Sequence, residues 1–154
     1  MDGELVLVAG LPGCGKTTYL CQMCREGWLV FDDFKANAFN NNPNFRCSRK
    51  LSALISALHD NLKCVVADID FCDTDSRIEA ETVLRGEIPN LKLKWQFFAN
   101  DRAACEANIR TRNRESVERE LNLIVKYSPL YCIPQDAVVI PVRRKENWQL
   151  ATGN

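Results

Sequence analysis

Apolar residues fall into five short runs, separated by stretches in which they recur every three or four positions. Leu5 to Ala9 is continuous and valine-containing, with the length and composition of a buried strand. Trp28-Leu29-Val30-Phe31 and Cys64-Val65-Val66-Ala67 repeat that pattern. Leu91 to Ala99 alternates at Leu91, Leu93 and Trp95 before turning wholly apolar, and Ala137 to Val142 is the last run. Between them the spacing predicts helices. One runs from about Gly15 to Arg25 and stops at Gly27; another follows Ser48 to about Leu62, with Leu51, Leu54, Ile55 and Leu58 on one face. A third spans Asp73 to Arg85, before Gly86 and Pro89. The fourth is capped by Asp101 and carries Cys105 and Ile109, and the fifth runs from Ser116 to about Tyr127. Strands alternating with helices predict an α/β fold: a five-stranded, mostly parallel sheet with helices on both faces. The Asn-rich stretch 35–47, with Pro43, reads as an irregular connection, the longest in the chain.

Length and charge narrow this picture only a little. A chain of 154 residues suits one domain, 1–154. Twenty Lys and Arg balance twenty Asp and Glu, so no net field draws the chain to nucleic acid or anionic lipid. No apolar run is long enough to span a bilayer, so no membrane partner is expected. The first strand begins within a few residues of Met1, which leaves no room for a secretory signal and predicts a cytoplasmic protein. Eight cysteines are many, but Cys14 and Cys64 sit where burial is expected. Cys21 and Cys24 form one C-x-x-C with no second pair, and His59 is the sole histidine. That set predicts reduced thiols rather than a zinc site.

The chemistry begins where the first strand ends. Gly10-Leu11-Pro12-Gly13-Cys14-Gly15-Lys16-Thr17, continuing into Thr18, matches G-x-x-x-x-G-K-[ST] between a strand and a helix. Glycines let successive backbone N–H groups turn inward onto phosphate oxygens, and the helix start adds unpaired N–H groups and a positive dipole end. Lys16 suits the β- and γ-phosphates, and the Thr17 hydroxyl suits Mg²⁺. This predicts a nucleoside triphosphate site.

Phosphoryl transfer needs further groups, and each has a candidate. Asp68 ends the third strand, where a second acidic group can hold Mg²⁺ or its water; Asp70 and Asp73 are close alternatives. Asp32 and Asp33 end the second strand at the carboxyl edge, where open α/β sheets bind ligands, and Asp32 is favoured as a base. After the fourth strand come Arg110, Arg112 and Arg114. Spacing of four puts Arg110 and Arg114 on one helical face with Arg112 turned away. A lid over about 108–118 would bring Arg110 and Arg114 to the transferring phosphoryl group. Arg143, Arg144 and Lys145 read as a solvated tail, and Trp95, Phe97 and Phe98 as core.

Together these residues resemble the P-loop kinases, especially the polynucleotide kinase and zeta-toxin-like branch, over nearly the whole chain. Polynucleotide 5′-kinases carry D-D-Y-R after strand two, and Asp32-Asp33-Phe34-Lys35 is similar, with Lys35 where that motif has arginine. The resemblance implies Asp32 as general base, Asp33 and Lys35 near the acceptor, strand order 2-3-1-4-5, ATP as donor and Mg²⁺ as cofactor. The expected activity is transfer of the γ-phosphate to a hydroxyl acceptor: a polynucleotide 5′-hydroxyl, a nucleoside or a small metabolite. The competing class is a P-loop ATPase or nucleotide-dependent switch. Within it, no N-K-x-D segment supports a GTPase and no L-S-G-G-Q-like signature supports an ABC-type ATPase.

Overall fold

The computed structural model describes residues 3–32, 45–46, 51–112 and 115–144. In chain order the elements are β1 (Glu4–Ala9), α1 (Lys16–Arg25), β2 (Leu29–Asp32), β3 (Phe45–Arg46), α2 (Leu51–His59) and β4 (Cys64–Ala67). A 3₁₀ turn (Ile69–Cys72) leads to α3 (Thr74–Glu87), then β5 (Lys92–Phe98), α4 (Arg102–Arg112), α5 (Val117–Tyr127), a 3₁₀ turn (Ser128–Leu130) and β6 (Val139–Ile140). Asp33, Lys35, Arg114, Ser48 and Lys145 lie outside the described residues.

One parallel sheet has the order β3-β2-β4-β1-β5-β6. Without the short edge strand β3, this is the expected 2-3-1-4-5. The two-residue β3 is a correction: the stretch read as an irregular connection supplies a sixth strand, pairing Val30 with Phe45 and Phe31 with Arg46. No apolar alternation announces so short an element; backbone pairing defines it.

Leu5, Val6, Leu7 and Val8 are all buried. Consecutive strand residues point to opposite faces, so both faces of β1 are covered, as a central parallel strand requires. At the start of β5, Lys92 and Lys94 are exposed, and β6 pairs only with Phe97 and Phe98. Charge on that open edge discourages pairing with another chain. Helix α1 closes in a Schellman motif. Trp28 N–H donates to Met23 O at 3.1 Å and Gly27 N–H to Cys24 O at 3.1 Å, with Gly27 at φ 95°.

Helix α3 starts where expected and ends later. Asp73 caps the start, its carboxylate accepting from Asp75 N–H at 3.4 Å and Ser76 Oγ at 3.3 Å. At the other end the helix runs through Gly86 to Glu87, because the Ile88 N–H still reaches Leu84 O at 2.8 Å. Buried Arg77 ties this helix to its surroundings. It donates to Phe71 O at 2.7 Å and Cys132 O at 2.6 Å, with its guanidinium over the Phe97 ring.

Candidate active site

The parallel register alone lines up the candidate groups along one edge. Asp32 pairs with Ala67, so the ends of β2 and β4 are level and Asp68 follows directly. Val8 also pairs with Ala67, which sets the exit of β1 on the other side of β4. From the sheet edge inward the order is therefore Asp32, Asp68, phosphate loop. Three segments far apart in sequence meet there.

The loop is packed from below. Gly10 through Cys14 are buried. Gly13 adopts φ 83°, and a Cβ there would stand 2.5 Å from Cys105 O, so the loop backbone lies directly on α4. Asn108, one turn further along α4, donates to Gly13 O at 2.9 Å and to Arg143 O at 2.9 Å, joining helix, loop and C-terminal segment. The Tyr131 hydroxyl lies 2.5 Å from Phe98 O and 3.1 Å from Ala9 O, bridging β5 and β1 at the loop entrance. Burial pushes its pKa well up, so the hydroxyl stays a donor.

The loop presents donors rather than acceptors. Gly15 caps α1 in the left-handed region with no side chain to satisfy the first-turn N–H groups, and no acidic residue lies in that turn. Buried Lys16 donates to Gly10 O and forms no ion pair with a described residue. Cys14 sits against Lys16, yet burial outweighs that cation and raises the thiol pKa. Thr17 and Thr18 are exposed at the mouth. This donor set fits a polyphosphate. Thr17 and the half-buried Asp68 fit Mg²⁺, which takes one or two protein oxygens and keeps phosphate and water as its other ligands.

Asp68 also accepts from Asp70 N–H at 2.9 Å, capping the 3₁₀ turn. Asp70 Oδ1 accepts from the Tyr127 hydroxyl at 2.6 Å, which pushes the tyrosine pKa up to about 12. Asp73 is occupied as the α3 cap.

Beside this edge lies a cavity of about 410 Å³. Leu7, Phe31 and Val66 form its sheet floor, Leu51 and Leu54 of α2 one wall, and Ser76, Glu79 and Val83 of α3 the other. Asp32, Asp68 and Asp70 open into it. Asp32 is only 3% exposed, which sets it at the inner end.

Arg110 and Arg112 lie on opposite faces of α4, as their spacing predicts: Arg110 is exposed, and half-buried Arg112 stands on the loop side. Its charge acts on Cys14, and its guanidinium stands 3.8 Å from buried Glu120 of α5. The reason is the helix stripe: Cys105, Ile109 and Arg112 recur at i, i+4 and i+7, so Arg112 continues the apolar face. Sequence reasoning missed Asn108, Tyr127, Tyr131 and Glu120; of these only Asn108 leaves a trace, a polar residue inside the stripe Cys105–Ile109. Trp95, Phe97 and Phe98 are core as expected: Trp95 packs edge-on to Phe71 and stacks on Phe97.

A solved gluconokinase from Sinorhizobium meliloti superposes with a TM-score of 0.55 over 96% of this chain and 86% of that one, at 15% identity. The fold is that of a P-loop kinase. A scan against known protein families matches none. An uncharacterized protein of Acanthamoeba polyphaga mimivirus is 25% identical over 139 residues, 86% of this chain and 89% of that one. A probable disease resistance protein of Arabidopsis thaliana is 34% identical over 93 residues, 59% of this chain and 10% of that much longer protein. No described helix is long and apolar enough to cross a membrane.

Proposed function

We propose that this chain is a single-domain, ATP-dependent phosphotransferase that moves the γ-phosphate to a hydroxyl acceptor. One observation carries the reading: a buried carboxylate, Asp32, opens into a substrate-sized cavity, with a single strand, β4, between it and the strand that leads into the phosphate loop. An NTP hydrolase has no need of such a cavity. The likeness to a gluconokinase and the Asp32-Asp33-Phe34-Lys35 motif point the same way.

In this mechanism the loop amides and Lys16 hold the β- and γ-phosphates and orient them toward the cavity. Asp32 accepts the proton of the acceptor hydroxyl as its oxygen attacks γ-phosphorus. An O–P bond forms, and the bond to the β,γ-bridging oxygen breaks. Its electron pair leaves with ADP, and Asp32 later returns its proton to solvent. Magnesium, held by Thr17 and Asp68, would neutralise charge on the phosphates. Arg112 stands on the loop side of α4, while exposed Arg110 would have to swing in from solvent with the lid.

Labelled γ-phosphate tests this. Transfer to an added hydroxyl compound, with Asp32→Asn lowering kcat by roughly 10²–10⁴-fold while ATP affinity is kept, is the expected result. Hydrolysis indifferent to acceptor and to Asp32→Asn would establish the ATPase or switch instead.

A further inference from the structure

We propose that Glu120 is a positioning residue for the γ-phosphate: from α5 it aims the Arg112 guanidinium of α4 at the phosphate loop. This rests on the nucleotide reading of that loop and adds a residue to its donor side.

One face of α4 lies along the loop. Cys105, Asn108, Ile109 and Arg112 recur at i, i+3, i+4 and i+7, so they share that face. A Cβ at Gly13 would stand 2.5 Å from Cys105 O and 3.0 Å from Ile109 Cγ1, and Asn108 donates to Gly13 O at 2.9 Å. Arg112 lies one turn beyond Asn108, about 6 Å along the axis. Helical side chains lean toward the N-terminus, which brings its guanidinium back over this contact. There its charge acts on Cys14 of the loop.

The opposing charge comes from α5. Glu120, Ile124 and Tyr127 recur at i, i+4 and i+7 and form the buried face of that helix. The Tyr127 hydroxyl anchors one end, donating to Asp70 Oδ1 at 2.6 Å. Two turns back, Glu120 is only 8% exposed, and its Oε1 stands 3.8 Å from Arg112 Nη1. Its Oε2 is buried and accepts no hydrogen bond from a described residue. A carboxylate withdrawn from water with one oxygen idle costs stability, and an apolar side chain would complete the α4–α5 contact at less cost. Packing therefore does not account for it. Coulomb steering does. A half-buried guanidinium is drawn toward this carboxylate, yet their separation is too long for a hydrogen bond that would lock it. A guanidinium presents N–H groups on more than one edge, so it can face Glu120 and a phosphate together.

Calorimetry with ADP and with the β,γ-imido analogue of ATP, each with Mg²⁺, tests this without an acceptor. The readout is the preference for the triphosphate, with ADP affinity as the internal control. Arg112→Ala should lower that preference about tenfold and Glu120→Gln roughly threefold or more, both with ADP affinity kept. The double variant should lose no more than Arg112→Ala alone, because Glu120 acts only through the arginine. Glu120→Asp keeps the charge one methylene further back. It should fall between the unaltered chain and Glu120→Gln, and it carries the test if Glu120→Gln does not fold. An unchanged preference, or losses that multiply in the double variant, would overturn the positioning role. So would a joint fall in ADP and triphosphate affinity, the mark of a structural contact. Failure of the unaltered chain to bind either nucleotide would instead remove the donor site itself. Transfer indifferent to Asp32→Asn would remove the kinase reading and leave the role of Glu120 in place.

Discussion

The donor and acceptor sides of the sheet edge are built on opposite plans. The phosphate loop is a contiguous run of residues clamped by backbone: Gly13 rests on Cys105 O, Asn108 grips Gly13 O, and Tyr131 bridges Ala9 and Phe98. The cavity has no such local unit. Its lining comes from β1, β2, α2, β4, the first 3₁₀ turn and α3, and side chains rather than backbone define it. Triphosphate recognition is therefore fixed by main-chain geometry that tolerates little change. Acceptor recognition is set by side chains that substitution can alter without disturbing the donor side.

That contrast breaks most sharply at Lys16. Lys16→Ala should lower ATP affinity roughly 10–100-fold, as expected for losing a charge-assisted phosphate contact, and stop transfer, while the acceptor cavity keeps its lining. Unchanged ATP binding in calorimetry would remove the basis of the donor site.

Gly13→Ala comes next. A residue with a Cβ would be strained at φ 83° and would press on Cys105 O at 2.5 Å, so a loss of about 2–4 kcal/mol is expected in chemical denaturation. On the acceptor side, Val83→Ala should cost less than about 1 kcal/mol, since Val83 is 40% exposed. Equal losses at the two positions would erase the distinction between a rigid and an adaptable side.

The arginines give a smaller effect. Arg112→Ala should slow transfer about tenfold by removing a cation on the loop side of α4, and Arg110→Ala should act less in the same assay. The reverse order would show that the lid swings Arg110 over the nucleotide.

Tyr127→Phe is expected to be the mildest. The folded pKa of this tyrosine is raised to about 12 from its ordinary value of 10. Its contribution is thus fully present below about pH 10 and is lost as pH rises toward 12. The variant should lose about 1 kcal/mol near neutrality and show a flatter stability profile over that alkaline range in urea titrations.

The same contrast explains what could be read from the chain in advance. The alternation of strands and helices, the loop and the cap at Asp101 follow from local pattern, because each is written in consecutive or helically spaced residues, whereas the strand order followed from the family resemblance. Asp32 and Asp68 were legible for a related reason: they punctuate apolar runs. The cavity was not legible, because Glu79 and Leu54 share no local pattern and meet only when α2 and α3 close on the sheet. The placing of Arg112 was legible in principle. Its spacing from Cys105 and Ile109 decides its direction, whereas its spacing from the other arginines does not.

The thiol of Cys14 carries one more consequence. An ionised sulfur beneath Lys16 would be a resident counter-ion, and every incoming nucleotide would have to displace it from the lysine. Burial keeps Cys14 protonated despite that neighbour, and the buried Cys72 close by is pushed up to about 11 for the same reason. Neither thiol therefore stands as a decoy anion at neutral pH, and Lys16, resting on Gly10 O, has no thiolate to leave when a polyphosphate arrives.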